Sequence, residues 1–470
     1  MVTELASIIG TLSSAIGCNI GTFIEMAKGI YCISSGGVTQ ENISRWTGKK
    51  GSYRSLQRLV QKSINWLNLN VLLLQNHWLE DGGEQRYVLA VDEVVAKKAG
   101  KKTFGVNWFY SSIAGKAIRS ISFHAISVVD TKRARSFALH QIQNVKGAAG
   151  DKVYKKEVAA KAKKKHKKRT GDGKADKNAV PKKPVGRPKG SKNKQKVQEK
   201  SALSEGLKTL LDAVLPQLSA IGLAIKYALC DGAYGNKTCM MIVREAGLHL
   251  ISKLNRKTAL FLPYSGAYVG RGAPKKFGEQ LRYDKLPAQN LKNTETQKGI
   301  KTQIYQFQKV WSRNSPCLMN VVIIQKTNRE TQQTAQVILF CTDLELDWEK
   351  MIHFYAMRFQ IEFNFRDAKQ YFGLADLKNI KEQSVKNAVG MAFFMGNLSL
   401  ILLEKAKLKF QVDECSVQDL KAMFRADFYL QNILNTLDMP NKPFFNDPIF
   451  QNISHIGAVN LKKRLPDVFS

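Results

Sequence analysis

Residues 348–371 read WEKMIHFYAMRFQIEFNFRDAKQY. The stretch holds no glycine or proline and its apolar residues recur at helical spacing, so it is predicted as one helix. Within it, Tyr355, Arg358, Glu362 and Lys369 stand three, four and seven residues apart. At roughly 100° per residue those steps return to one side of a helix, so the four side chains share a stripe. A phenol, two cations and a carboxylate make a poor core. The stripe suits a surface that holds a metal ion and grips phosphates. It also suits an amphipathic helix with ordinary i,i+4 charge pairs. The flanking sequence decides between them.

Upstream, RYVLAVDEVV (86–95) is β-rich and apolar up to Asp92, and TFGVNWFYSS (103–112) and IRSISFHAISVVD (118–130) read as two further strands with Gly115 in the turn. Three consecutive strands predict an antiparallel meander with Asp92 at the end of the first. A carboxylate in that setting has few structural reasons to be there. Alternation sends Glu93 to the opposite face, and Asp130 also fits a turn. IKYALCDGAYGN (225–236) reads as a buried strand ending at Asp231, with a helix starting near Asn236. There the chain turns and side chains point into a crevice. Asp231 fits equally as a turn former or helix cap.

The chain has 470 residues, enough for two or three domains, and a formal net charge of +35. Such an excess attracts polyanions, nucleic acid first among them. Seven cysteines show no CxxC pair, so neither a zinc site nor a disulfide framework is indicated. They fit reduced thiols in a cytosolic protein. No secretory leader is evident, and the apolar run VGMAFFMGNLSLILL (389–403) is expected as a buried helix rather than a membrane span.

The outer parts of the chain fit the same theme. Residues 1–80 are predicted as a helical DNA-binding domain. A helix-turn-helix-like unit over 38–64 has a first helix capped by Thr39 or Asn42 and a second from Ser52. The second would carry Arg54, Arg58 and Lys62 outward and Leu56, Leu59, Val60 and Ile64 inward. A basic, disordered insert spans 150–202, with nineteen Lys or Arg against four acids over 155–200. Its Gly186-Arg187-Pro188-Lys189 resembles an AT-hook, which lays an extended Arg along an A·T-rich minor groove; non-specific phosphate attraction is the alternative. A helix is expected over 202–219 and a β-rich insertion over 248–345. Trp311, near Arg313, would stack on an unpaired base or sit in the core. A helical C-terminal region is expected over 376–470.

This order of elements folds as an α/β protein, a ribonuclease-H-like mixed sheet flanked by helices over 84–375, with Asp92, Asp231 and Glu362 at one edge. Oxygen-only ligands suit Mg²⁺ or Mn²⁺, and two such ions roughly 3.5–4 Å apart support phosphodiester cleavage and transfer. Tyr355-x2-Arg358-x3-Glu362-x6-Lys369 matches the signature of bacterial insertion-sequence DDE transposases of the Tyr-Arg-Glu-Lys group. VDEVVAKKAGKK (91–102) and LCDGAYGN (229–236) resemble that family's regions around its first and second Asp. The resemblance covers about 84–375. It implies cut-and-paste DNA transposition through a hairpin, with Asp92, Asp231 and Glu362 as catalytic ligands of two Mg²⁺ or Mn²⁺ ions. It further implies Tyr355, Arg358 and Lys369 on transposon-end phosphates, and Trp311 as the best-placed stacking partner for a flipped base. The implied partners are double-stranded DNA, at transposon ends and target, and a second copy in a homodimer, in the bacterial nucleoid. The Lys-rich insert lies outside the family pattern. It leaves open a non-catalytic DNA-binding or architectural protein, and a general nuclease on the same fold is a third reading.

Overall fold

The computed structural model describes residues 1–436 apart from 82, 84, 147–200, 269 and 271. The basic insert, with Arg187 and Lys189, and the tail beyond 436 therefore lie outside the described residues.

One sheet of twelve strands organises the chain. Its first strands are β1 (Tyr87–Lys97), β2 (Asn107–Ser111), β3 (Lys116–Asp130) and β4 (Arg135–Asn144), followed by β5 (Tyr227–Cys230) and β6 (His249–Leu254). β1 pairs antiparallel with β3 and parallel with β5; β3 also pairs antiparallel with β4, and β5 parallel with β6. In space the order is β4-β3-β1-β5-β6, with β2 on the far end of β3. Val88, Leu89 and Ala90 are fully buried, as in a strand covered on both faces.

The expected three-strand meander is thus incorrect. β2 pairs with β3 and not with β1, and a fourth strand follows the cation-rich turn Thr131–Ala134, whose composition hides it. Asp92 is also not at a strand end. β1 continues to Lys97 because Val94 and Ala96 extend its buried row.

The expected β insertion runs through β7 (Leu260–Pro263), β8 (Phe277–Gln280), β9 (Leu291–Gln297), β10 (Ile300–Ser312), β11 (Met319–Asn328) and β12 (Thr334–Cys341). It is not a separate sheet. β12 pairs antiparallel with β6, so these strands prolong the core sheet, and β6 itself, within the predicted 248–345, belongs to the core.

The N-terminal helices are α1 (Val2–Gly10), α2 (Ile20–Cys32), α3 (Gln40–Ser44), α4 (Tyr53–Leu59) and α5 (Trp66–His77). Thr39 caps α3 by accepting from Asn42 N, as predicted. Leu56, Leu59, Val60 and Ile64 are buried, while Arg54 and Arg58 are exposed. The second helix is shorter than expected and ends before Lys62. Asn387 holds the chain out of helix there, its amide donating to Val60 O at 2.9 Å and Lys62 O at 2.6 Å.

After the basic insert comes α6 (Ala202–Ala220), then α7 (Lys237–Glu245), α8 (Trp348–Met357), α9 (Gln360–Gln370), α10 (Glu382–Phe410) and α11 (Val417–Thr436). Residues 1–80 and 376–436 do not form separate lobes. Tyr31 of α2 stacks on Phe424 of α11 at 4.5 Å and bonds Ser399 of α10 at 2.8 Å. Among the described residues, α10 alone is long and apolar enough to cross a membrane, but 78% of its apolar window is buried inside the protein.

Candidate active site

Asp92 and Asp231 are brought together by strand register. Val91 pairs with Cys230 across parallel strands, and each aspartate is the next residue along. Asp231 also caps the turn Gly232–Tyr234, accepting from Ala233 N at 2.9 Å, so its capping role and its place at the cleft coexist. Glu362 arrives on α9. That helix is fixed against β3 and β4 by Asn364, whose amide donates to Ser127 Oγ at 3.1 Å and Ser136 Oγ at 2.9 Å.

The single helix expected over 348–371 is two. Around Arg358 and Phe359 the N–H groups of Arg358, Phe359, Ile361 and Glu362 reach back three residues instead of four. This tightens the turn as in a 3₁₀ helix, while the chain stays near helical dihedrals. The stripe survives. Arg358, Glu362 and Lys369 line one cleft of about 780 Å³ with Asp92 and Asp231. Tyr355 lies beside it, its ring 6.0 Å from the Arg358 guanidinium.

Arg358 is the centre of the cleft's electrostatics. It donates to Asp92 Oδ2 at 3.0 Å and to Glu362 Oε1 at 3.1 Å, and its buried Nε has no partner. Burial pushes the Asp92 carboxyl up to about 6; the Glu93 N–H and Arg358 oppose the rise, and Asp231 and Glu362 add to it. Burial works against charge on Arg358, but Asp92, Tyr355 and Glu362 outweigh it and keep the guanidinium protonated. Burial lowers Lys369 and raises Tyr355.

The donor set is carboxylate oxygen, which fits a hard divalent cation. As they stand, among the described residues, no three His, Cys, Asp or Glu side chains converge tightly enough to hold an ion. The reason is visible in the geometry, since Arg358 spans the gap between Asp92 and Glu362. The residues therefore fit a divalent ion once that guanidinium has another partner.

Contrary to the expectation from alternation, Glu93 also lines the cleft, its carboxylate accepting a short hydrogen bond from Ser122. The remaining candidates fall elsewhere. Asp130 is fully buried against Arg86 at 2.8 Å and serves structure. Arg54 and Arg58 lie on α4, outside the cleft lining. Trp311 is half-buried in β10, edge-on to Phe277 at 6.3 Å with Lys276 5.7 Å from its ring, and does not line the cleft. Sequence reasoning missed Arg366, which lines the cleft. Its signal was present, four residues after Glu362 and three before Lys369. It also missed Tyr110–Ile113, the tip of the β2–β3 hairpin, which forms another part of the wall.

Comparison with known families gives a match. The family described as DDE superfamily endonuclease matches residues 31–314, a span that includes Asp92 and Asp231 and ends before Glu362. A search of the curated proteins finds no match. Members of this family are nucleases that act on DNA with divalent metal ions. With more than half of its length matched, the chain belongs to the DDE superfamily endonuclease family.

Proposed function

We propose that this chain is a DNA transposase of the Tyr-Arg-Glu-Lys group that cuts and joins DNA at terminal inverted repeats. The observation that carries the reading is the convergence of Asp92, Asp231 and Glu362 with Arg358 and Lys369 in one cleft. The order β4-β3-β1-β5-β6, with β5 and β6 parallel to β1, supports a ribonuclease-H-like core. Asp92 and Asp231 would hold Mg²⁺ or Mn²⁺ between them, with Glu362 completing the set for two ions. When bound, such ions lower the pKa of an attacking water or 3′-hydroxyl and neutralise charge on the leaving oxygen.

The chain's own residues prepare that state. A DNA phosphate entering the cleft offers Arg358 a bidentate partner. As the guanidinium turns to it, Asp92 and Glu362 are freed together. Lys369 and Tyr355 hold the same backbone, and the charge at Asp92 becomes tolerable once a cation faces it. Arg54 and Arg58 on α4 contact the duplex away from the cut, as does the basic insert through Arg187 and Lys189. Trp311 is the proposed stacking partner for a base turned out of the duplex. The active form is a homodimer on DNA in the bacterial nucleoid.

The test uses labelled duplexes taken from the DNA flanking the coding sequence, beside unrelated duplexes, with Mg²⁺, Ca²⁺ or chelator. End-specific cutting in Mg²⁺ and binding without cutting in Ca²⁺ are expected. Asp92→Ala, Asp231→Ala and Glu362→Ala should each abolish cutting and keep binding. Mg²⁺-dependent cutting retained in any one of them would falsify the assignment. Cutting without end preference indicates a general nuclease, and binding without cutting a non-catalytic DNA-binding protein.

A further inference from the structure

The hairpin of β2 and β3 presents apolar surface where a solvated tip would be expected. Ile113, in its turn, is 94% exposed, the most exposed large hydrophobic side chain among the described residues, and Tyr110 is 67% exposed. Strand alternation explains the asymmetry. Phe109 points inward and is buried at 3%, so its neighbours Trp108 and Tyr110 face out. The tip is not remote from the chemistry. Tyr110, Ser111, Ser112 and Ile113 line the cleft that holds Asp92, Asp231 and Glu362.

The surroundings of the tip say what would cover it. Residues 94–129 contain no acid and six cations, of which Lys97, Lys101, Lys102, Lys116 and Arg119 reach the surface while Lys98 is buried against Ala375 O and Leu377 O. Lys146 reaches across to Trp108 O at 2.7 Å and lies 4.4 Å from the Phe109 ring, adding a further cation at the hairpin's base. Arg366 and Lys369 stand in the lining of the same cleft. A partner for this surface must be polyanionic and also offer flat apolar faces. DNA meets both needs, with phosphates outside and base faces within the stack. Those faces become available only when a step is opened, and inserted apolar side chains open steps.

We propose that this hairpin tip is a wedge that opens the duplex beside the scissile phosphate, with Ile113 entering the base step and Tyr110 stacking on the base that stays in the duplex, across the gap left by the base that Trp311 would take. The proposal rests on the transposase reading and extends it to how the strand is presented. Tyr110 and Ile113 are positioning residues. Neither is placed to touch the reacting phosphate.

The test compares the full-length wild type with Tyr110→Ala/Ile113→Ser. Both side chains are exposed, so an unchanged melting temperature is expected. Two duplexes from the flanking DNA are used, one fully paired and one with mismatched bases next to the cut, each carrying 2-aminopurine at the adjoining position. In Ca²⁺, wild-type binding should raise 2-aminopurine fluorescence on the paired duplex, and the variant should not. In Mg²⁺, the variant should cut the paired duplex about tenfold more slowly or worse and recover on the mismatched one. Wild-type rates on the paired duplex, an equal loss on both duplexes, or a variant whose only defect is in self-association would each overturn the wedge. A wild type that raises fluorescence yet cuts neither duplex would overturn the transposase reading and leave the wedge standing.

Discussion

Asp92→Asn should erase one component of the pH dependence of the metal-free protein's stability. Burial lifts the Asp92 carboxyl from its ordinary 3.8 to about 6. Between those values the folded chain keeps a proton that the unfolded chain releases. The stability this provides is therefore complete below 3.8, falls as pH rises, and is gone above about 6. At about 1.4 kcal/mol per pH unit, the gap amounts to about 3 kcal/mol. Roughly half of it, about 1.4 kcal/mol, is lost between about pH 5 and about pH 7.5. Asn cannot ionise, so the variant lacks this slope. The substitution also takes one partner from Arg358, but that cost is the same at both pH values. The assay is urea unfolding of both proteins in chelator at the two pH values. The variant should gain on the wild type by about 1.4 kcal/mol on going to the higher pH. Added Mg²⁺ without DNA should move neither midpoint, because Arg358 still bridges Asp92 and Glu362. A stability difference that is constant between the two pH values would refute the idea that Asp92 is held as a strained carboxylate.

Other perturbations reach different parts of the molecule. Arg358→Ala should weaken DNA binding and reduce the slope of log affinity against log salt by about one, read by fluorescence anisotropy across a salt series. Arg86→Ala leaves the fully buried Asp130 with Arg133, at 3.7 Å, as its remaining charge partner and should cost about 3 kcal/mol in chemical denaturation, with a smaller loss when Asp130 is made apolar as well. Gly206→Ala would bring its methyl group to 2.4 Å from the buried His124 ring. It should lower the unfolding free energy by about 1–3 kcal/mol, and His124→Ala in the same chain should return part of it.

The parts of the site legible in the sequence share one property: their signal is local. Asp92 and Asp231 stand out because each interrupts an apolar β run, and Glu362 because its neighbours repeat at helical spacing. What the sequence hid is non-local. The Arg358–Glu362 pair could be anticipated from i,i+4 spacing, but the bond from Arg358 to Asp92 crosses 266 residues. The strand pattern of HLISKL is plain, yet nothing in those six residues says that they pair with β5 instead of opening the insertion. The break at Arg358 leaves no trace in composition, since it changes only which carbonyl each N–H finds. β4 was lost to its own turn, where Lys132, Arg133 and Arg135 mask an alternating strand.

The polar residues within the apolar run of α10 follow the same logic and bear on function. Asn397 accepts from Ala138 N at 2.8 Å and donates to Ala138 O at 2.7 Å, so its amide stands in for a missing strand at the edge of β4. Asn70 of α5 completes the closure, donating to Leu139 O at 3.0 Å. An open edge would invite pairing with another chain; here two helices seal it. Asn387 ties the same helix to the chain following α4, and Ser399 ties it to α2 through Tyr31. Sliding the N-terminal helices against the sheet would leave several of these buried groups unpaired, at about 1–3 kcal/mol each. Arg54 and Arg58 are thereby held at a set position relative to Asp92 and Asp231, so a duplex gripped on α4, as proposed above, would meet the cleft at a defined distance along its length.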